Sequence, residues 1–170
     1  MAELVGLRRF RMLVIGSEIP FRDAYDLCSE RAQKWLQRPY TVTHARQAKM
    51  PTIVGECVPL PDGEWEFFAR EISNSGVLKV QGNPDYPGFH QPTWYLEIEA
   101  EGVVKRLKSY GAGAMTTFGK GDESLADVWA VSLAIDAVEL FTARLPWRER
   151  LELQSVESVP DQLFELLAIR

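Results

Sequence analysis

Between Leu7 and Ile15, Phe10, Met12 and Val14 are interleaved with Arg9, Arg11 and Leu13. That two-residue period predicts a first β-strand with one buried face. Gly16 and Pro20 then punctuate the chain, and the period changes. From residue 21 to residue 38, Phe21, Ala24, Tyr25, Cys28, Ala32, Trp35 and Leu36 follow i, i+3, i+4 spacing, while Arg22, Asp23, Asp26, Glu30, Arg31 and Lys34 fall between them. This predicts an amphipathic helix, with Pro20 suited to its first turn and Pro39 barring its continuation.

From residue 40 to residue 118 the pattern shortens into strands. They are predicted at residues 40–48, where Thr41, Val42 and Thr43 stand together, at 52–58, at 64–72, where Trp65, Phe67 and Ala69 share a face, and at 77–81. The clearest pair is 93–100 and 103–110. Trp94, Leu96 and Ile98 oppose Tyr95, Glu97 and Glu99, and the intervening Glu101-Gly102 is a hairpin signal because glycine supplies the positive φ of a tight turn.

Residues 124–142 predict a second long helix, apolar almost all round, with Ser132, Asp136 and Glu139 as a narrow polar stripe and Ser124 with Asp127 as a capping-box-like start. Such a helix is enclosed by its neighbours. A last strand is predicted over 148–156, and a terminal helix over 158–169, with Pro160 and Asp161 in its first turn. Closely spaced hairpin strands imply antiparallel pairing. The expected fold is a single α+β domain over residues 1–170, an antiparallel sheet of about five to seven strands packed by two long helices plus a short C-terminal helix.

Composition narrows this picture. With 170 residues, 46% apolar and 25% charged, the chain has the make-up of one globular domain rather than a disordered one. A net charge of −5 disfavours nonspecific attraction to phosphate backbones, so no nucleic-acid partner is expected. Arg8, Arg9 and Arg11 interrupt any apolar leader in the first residues, and no stretch is apolar enough for a membrane span. No membrane association is expected, and a soluble, cytoplasmic location follows by elimination. Cys28 and Cys57 are expected to be reduced core residues.

Chemistry is thinly supplied. The loop 82–92 holds Asp85, Tyr86, Phe89, His90 and three prolines; exposed rings on a stiffened loop offer contact area, so it is the candidate binding segment, together with the adjacent Trp94. The run 111–121 matches an anion-binding loop only loosely. Gly113 is one residue too far upstream of Gly119-Lys120, Gly121 stands where a magnesium-binding hydroxyl belongs, and Asp122 and Glu123 put negative charge where a phosphate would sit. His44 and His90 have no metal-ligand spacing and nothing local primes either cysteine, so no metal, cofactor or catalytic set is expected. Glu97 and Glu99 read as the wet face of an edge hairpin opposite Lys105 or Lys108. Asp136 and Glu139, on an enclosed helix, call for partners such as Arg144 or Arg148.

The function expected from these features is noncatalytic protein binding to one partner, as in a bacterial toxin-immunity protein or a secretion chaperone, through Asp85, Tyr86, Phe89, His90 and Trp94. The alternative is a small-ligand-binding protein or enzyme with a pocket near the 82–92 loop, built from His44, Asp85, His90 and Lys120. A homodimer subunit is a third reading.

Overall fold

The computed structural model describes residues 6–16, 23–38, 52–86, 91–112 and 123–147. These form six strands and two helices. The strands are β1 (Leu7–Ile15), β2 (Asp23–Cys28), β3 (Arg31–Arg38), β4 (Thr52–Pro59), β5 (Thr93–Ala100) and β6 (Val103–Tyr110). The helices are α1 (Glu64–Ser75), between β4 and β5, and α2 (Ala126–Ala143), after β6. The sheet order is β4-β3-β2-β1-β5-β6, and every neighbouring pair is antiparallel. The predicted α+β class, antiparallel sheet and second long helix are therefore present. The strand predicted over 40–48, the strand over 148–156 and the helix over 158–169 lie outside the described residues.

The alternation read in β1 sets the core. Phe10, Met12 and Val14 face both helices, and one course across the sheet runs Val58, Ala32, Leu27, Phe10 and Ile98, all buried. Leu13, Ala24 and Trp35 alternate onto the opposite face and are buried as well. At the β5–β6 turn, both Glu101 (φ 52°) and Gly102 (φ 75°) take the positive φ that a two-residue hairpin of the favoured twist requires.

Two elements differ from the sequence reading. The helix predicted over 21–38 is a hairpin, β2 and β3, joined at Ser29 and Glu30. The reason lies in its burial. Ala24 and Trp35 are buried on one face of the sheet, Leu27 and Ala32 on the other, so the buried positions recur at helix-like intervals. The turn carries no glycine, proline or asparagine to mark it. Conversely, the strand predicted over 64–72 is α1. It buries Trp65, Phe68, Ala69 and Ile72, an i, i+3, i+4, i+7 set, and leaves Phe67 exposed. The segment predicted as a strand at 77–81 is a 3-10 turn, Val77–Lys79.

α1 and α2 pack together over the sheet around an aromatic cluster. The Phe68 ring stacks on Phe141 with 4.5 Å between centroids and meets Phe10 edge-on at 5.6 Å. The Trp65 indole donates to the Leu7 carbonyl at 2.9 Å and ties α1 to the start of β1. α2 is preceded by a 3-10 turn, Glu123–Leu125, and its N-cap position is Leu125, with no side-chain cap. After α2, the Trp147 indole donates to the Thr142 carbonyl at 2.6 Å, and Lys34 of β3 lies 4.3 Å from the Trp147 ring centroid.

The outer edge of β6 is covered by residues 80–86. Asn83 Oδ1 accepts the Lys108 amide and Asp85 Oδ1 the Tyr110 amide, each at 2.9 Å; the Tyr86 amide donates to the Tyr110 carbonyl at 2.7 Å. Lys105 donates to the Val80 carbonyl and the Ser109 hydroxyl to that of Pro84. Exposed sheet edges template unwanted pairing, and this strap occupies one. It is fitted closely: Gly111 has φ +74°, and a Cβ there would stand 2.6 Å from the Tyr86 carbonyl oxygen. Gly111→Ala is expected to destabilise by about 1–3 kcal/mol, read as a lower urea midpoint.

Candidate functional site

The strap changes the meaning of the loop singled out in the sequence. Asp85 is exposed, but one carboxylate oxygen is committed to the β6 backbone. Tyr86 is half-buried and packs on the core. Trp94, expected to be exposed, is 7% exposed and belongs to the core cluster, with its remaining surface in the lining of a cleft beside α2. Phe89, His90, His44 and Lys120 lie outside the described residues. Cys28 is half-buried and Cys57 exposed, both unbridged, so the core position expected for Cys57 is also corrected.

What the fold does build at the end of that loop is a cleft of about 230 Å³ between the sheet and α2. Its floor follows from the strand register. Met12 lies opposite Tyr25, and Val14 lies between Asp23 and Trp94, so the last residues of β1 and their neighbours on β2 and β5 form one patch. Gln91 and Pro92 close one side, and Ile135, Asp136 and Glu139 of α2 the other. The helical spacing that buries Ile135 turns Asp136 and Glu139 outward, onto the rim. Beyond the rim a shallower depression shares these two carboxylates with Leu140 and Ala143; Leu140 is 61% exposed.

Three carboxylates, Asp23, Asp136 and Glu139, and no Lys or Arg stand among the described lining residues. Burial pushes the Asp136 carboxyl above the ordinary aspartate range. A folded-state pKa above the unfolded one means that the ionised group opposes folding above the unfolded value, near ~3.9, and is relieved on protonation. Asp136→Asn is therefore expected to raise the melting temperature at pH 7, with the gain vanishing as pH falls below the ordinary aspartate range. The Arg144 partner expected for Asp136 and Glu139 goes elsewhere: its guanidinium meets Glu64 at 3.2 Å and lies 4.8 Å from the Phe67 ring centroid. Arg148 lies outside the described residues.

A second group of charges occupies the opposite face of the sheet. Arg11 donates from Nε at 2.9 Å and from Nη2 at 2.5 Å to one Glu97 oxygen, and Arg106 Nε donates to the other at 2.7 Å. Arg9 makes a two-pronged contact with Asp26, at 2.8 and 2.6 Å. Glu97 is only 8% exposed, so it is not the wet hairpin residue expected, and its cross-strand partner is Arg106 rather than Lys105 or Lys108. Burial alone would raise its pKa, but the hydrogen bonds and charges of Arg106 and Arg11 outweigh that and hold it below the usual glutamate range. A carboxylate held on both oxygens by guanidinium groups has its acceptor capacity committed, so this group is structural.

Among the described residues, no group of three or more His, Cys, Asp or Glu side chains is placed to hold a metal ion. No family model matches the chain, and no curated protein or solved structure matches it either. The cleft therefore stands on its own residues: the nearly buried Met12, Val14, Trp94 and Ile135 beneath, and Asp23, Asp136 and Glu139 among its polar lining. Sequence reasoning noticed Asp136 and Glu139 but missed Asp23 and Tyr25, because it placed both on a helix. The alternation of Tyr25 and Leu27 facing one way, with Ala24 and Asp26 facing the other, is the signal that could have found them. Among the described residues no helix is long and apolar enough to cross a membrane.

Proposed function

We propose that this domain is a noncatalytic protein-binding module, of the kind a toxin-immunity protein or a secretion chaperone represents, and that it meets its partner through the outer stripe of α2 and the cleft beneath. The observation that carries this reading is Leu140: a large apolar side chain, 61% exposed, on the same helix face as Asp136 and Glu139 and at the lip of the cleft. An exposed apolar side chain beside a cleft with a charged rim is the make-up of a binding surface, and the charges give the encounter its selectivity.

A second reading, a small-ligand pocket or enzyme beside the 82–92 loop, is favoured by Gln91 and Pro92 in the cleft wall. The volume argues against it, since pockets for whole drug-sized ligands run from about 300 to 1,000 Å³.

The test uses the whole chain as bait alongside Leu140→Glu. A protein recovered by the unmodified chain is purified and titrated against both. The expected result is that Leu140→Glu weakens binding by about tenfold or more, roughly 1.4 kcal/mol, with an unchanged circular dichroism spectrum. Recovery of no specific partner, or equal affinity of the two baits, overturns the reading.

A further inference from the structure

We infer that two copies of this chain join edge to edge through β4, antiparallel about a two-fold axis at Gly55, so that their sheets run on as one. This surface is separate from the outer stripe of α2 and does not depend on the reading given to it. The sheet has two outer strands, and the chain treats them differently. β6 carries Lys105, Arg106 and Lys108, and the strap at residues 80–86 covers it. β4 reads Thr-Ile-Val-Gly-Glu-Cys-Val-Pro, with Glu56 as its one charged residue, and no described strand pairs with its outer side. A long edge with little charge is the kind that accepts another strand.

The register tells which backbone groups of β4 are turned outward. The Leu60 amide donates to the Glu30 carbonyl at 3.2 Å, and this pair is the next step along the β3–β4 register. In an antiparallel ladder, residues bonded to one neighbour alternate with residues turned away from it. Val58, Glu56 and Val54 therefore bond to β3, while Cys57, Gly55 and Ile53 turn N–H and C=O outward. Pro59 falls in the outward set, where its missing N–H costs the single chain nothing.

This outward set is complementary to itself. With the axis at Gly55, that residue faces Gly55 of the second copy, and Ile53 faces Cys57 in both directions. Each facing pair exchanges two N–H···O=C bonds. Glu56 then stands opposite Val54. Moving the axis to Glu56 sets the two glutamates face to face, and like charges directly opposite are destabilising. Moving it on to Cys57 sets Gly55 against Pro59, which has no N–H to give. Charge and hydrogen bonding thus select one register. They also select the occupant. A peptide added to β4 leaves its own far edge open, whereas two β4 strands paired about a two-fold close each other, with β6 already strapped in both copies.

The experiment is amide hydrogen exchange of the full chain, read by NMR at a low and a high protein concentration, with sedimentation equilibrium alongside. The expected result is a concentration-dependent dimer. The amides of Val54, Glu56 and Val58 exchange slowly at both concentrations, and those of Ile53, Gly55 and Cys57 slowly only where the dimer is populated. Cys57→Pro withdraws an outward donor, as Pro59 already does, and is expected to raise the dimer dissociation constant about tenfold or more. A monomer at every concentration, protection of the Ile53, Gly55 and Cys57 amides within the monomer, a dimer in which they exchange freely, or a folded Cys57→Pro that dimerises as the parent does each overturns the inference. If Cys57→Pro does not fold, the alternation of exchange in the unmodified chain decides.

Discussion

Phe68→Ala is expected to destabilise the protein by about 3–5 kcal/mol, whereas Phe67→Ala, one residue away, is expected to change stability by less than about 1 kcal/mol. Phe68 is fully buried, stacked on Phe141 and edge-on to Phe10, so its removal opens a cavity where α1, α2 and β1 meet. Phe67 is 40% exposed and its ring meets only the Arg144 guanidinium among the ring contacts in the described residues, an exposed cation–π contact worth about 0.5–1 kcal/mol. Total stabilities of single domains run at about 5–15 kcal/mol, so the first substitution removes a large share and the second almost none. Urea denaturation of both variants at one pH reads the contrast. Because the strand reading of this segment puts Phe67 with Trp65 and Ala69 on the buried face, the opposite ranking would show that α1 is not a helix.

That contrast explains how far the sequence was readable. β1, β5 and β6 match the predicted bounds: β1 and β5 each place alternate large apolar residues on the core face, and the turn between β5 and β6, Glu101-Gly102, needs the positive φ that glycine announces. α2 was legible for the opposite reason: a run apolar on nearly every side, 18 residues long, can bury itself only as an enclosed helix. The failures lie where one segment satisfies both periods. Trp65 and Ala69 fit a strand and a helix equally, and only Phe68 and Ile72 separate the two. Between β2 and β3, burial on both faces of the sheet imitates a helical stripe, and residues such as Gln33, Lys34 and Gln37, which favour helices locally, agreed with the wrong answer until sheet packing overrode them. The candidate site was half legible. Its helical carboxylates stood out as charges on an apolar helix, but its floor depends on a register between β1, β2 and β5 that no single segment encodes.

Glu97→Ala is expected to cost about 3–5 kcal/mol at neutral pH, for a reason invisible in the hairpin alone. Arg11 and Glu97 are 86 positions apart in the chain, yet the β1–β5 register sets them face to face, and their side chains are only 8% and 10% exposed. Removing the carboxylate takes from the buried Arg11 the counter-charge that the β1–β5 register supplies, whereas Arg106, with 60% of its side chain exposed, recovers its hydration. By the same logic the Arg9–Asp26 pair, with Arg9 38% exposed, contributes about 1 kcal/mol or less, and Asp26→Ala is mild beside Glu97→Ala. The double variant Arg11→Met/Glu97→Leu removes both charges together and is expected to recover most of the loss, which separates a stranded charge from a merely lost side chain. The pH dependence carries the sign. Because the arginines hold the folded-state pKa of Glu97 below its unfolded value, the folded chain binds fewer protons between the two, and the stabilisation is complete above about pH 4.3 and lost as pH falls through the depressed value. The stability difference between the parent and the double variant, followed by urea denaturation from neutral pH downwards, should therefore stay level to the ordinary glutamate range and then shift against the parent. A difference that stayed flat throughout, with the double variant no better than Glu97→Ala, would mean that packing and not charge holds β1 against β5 at this row.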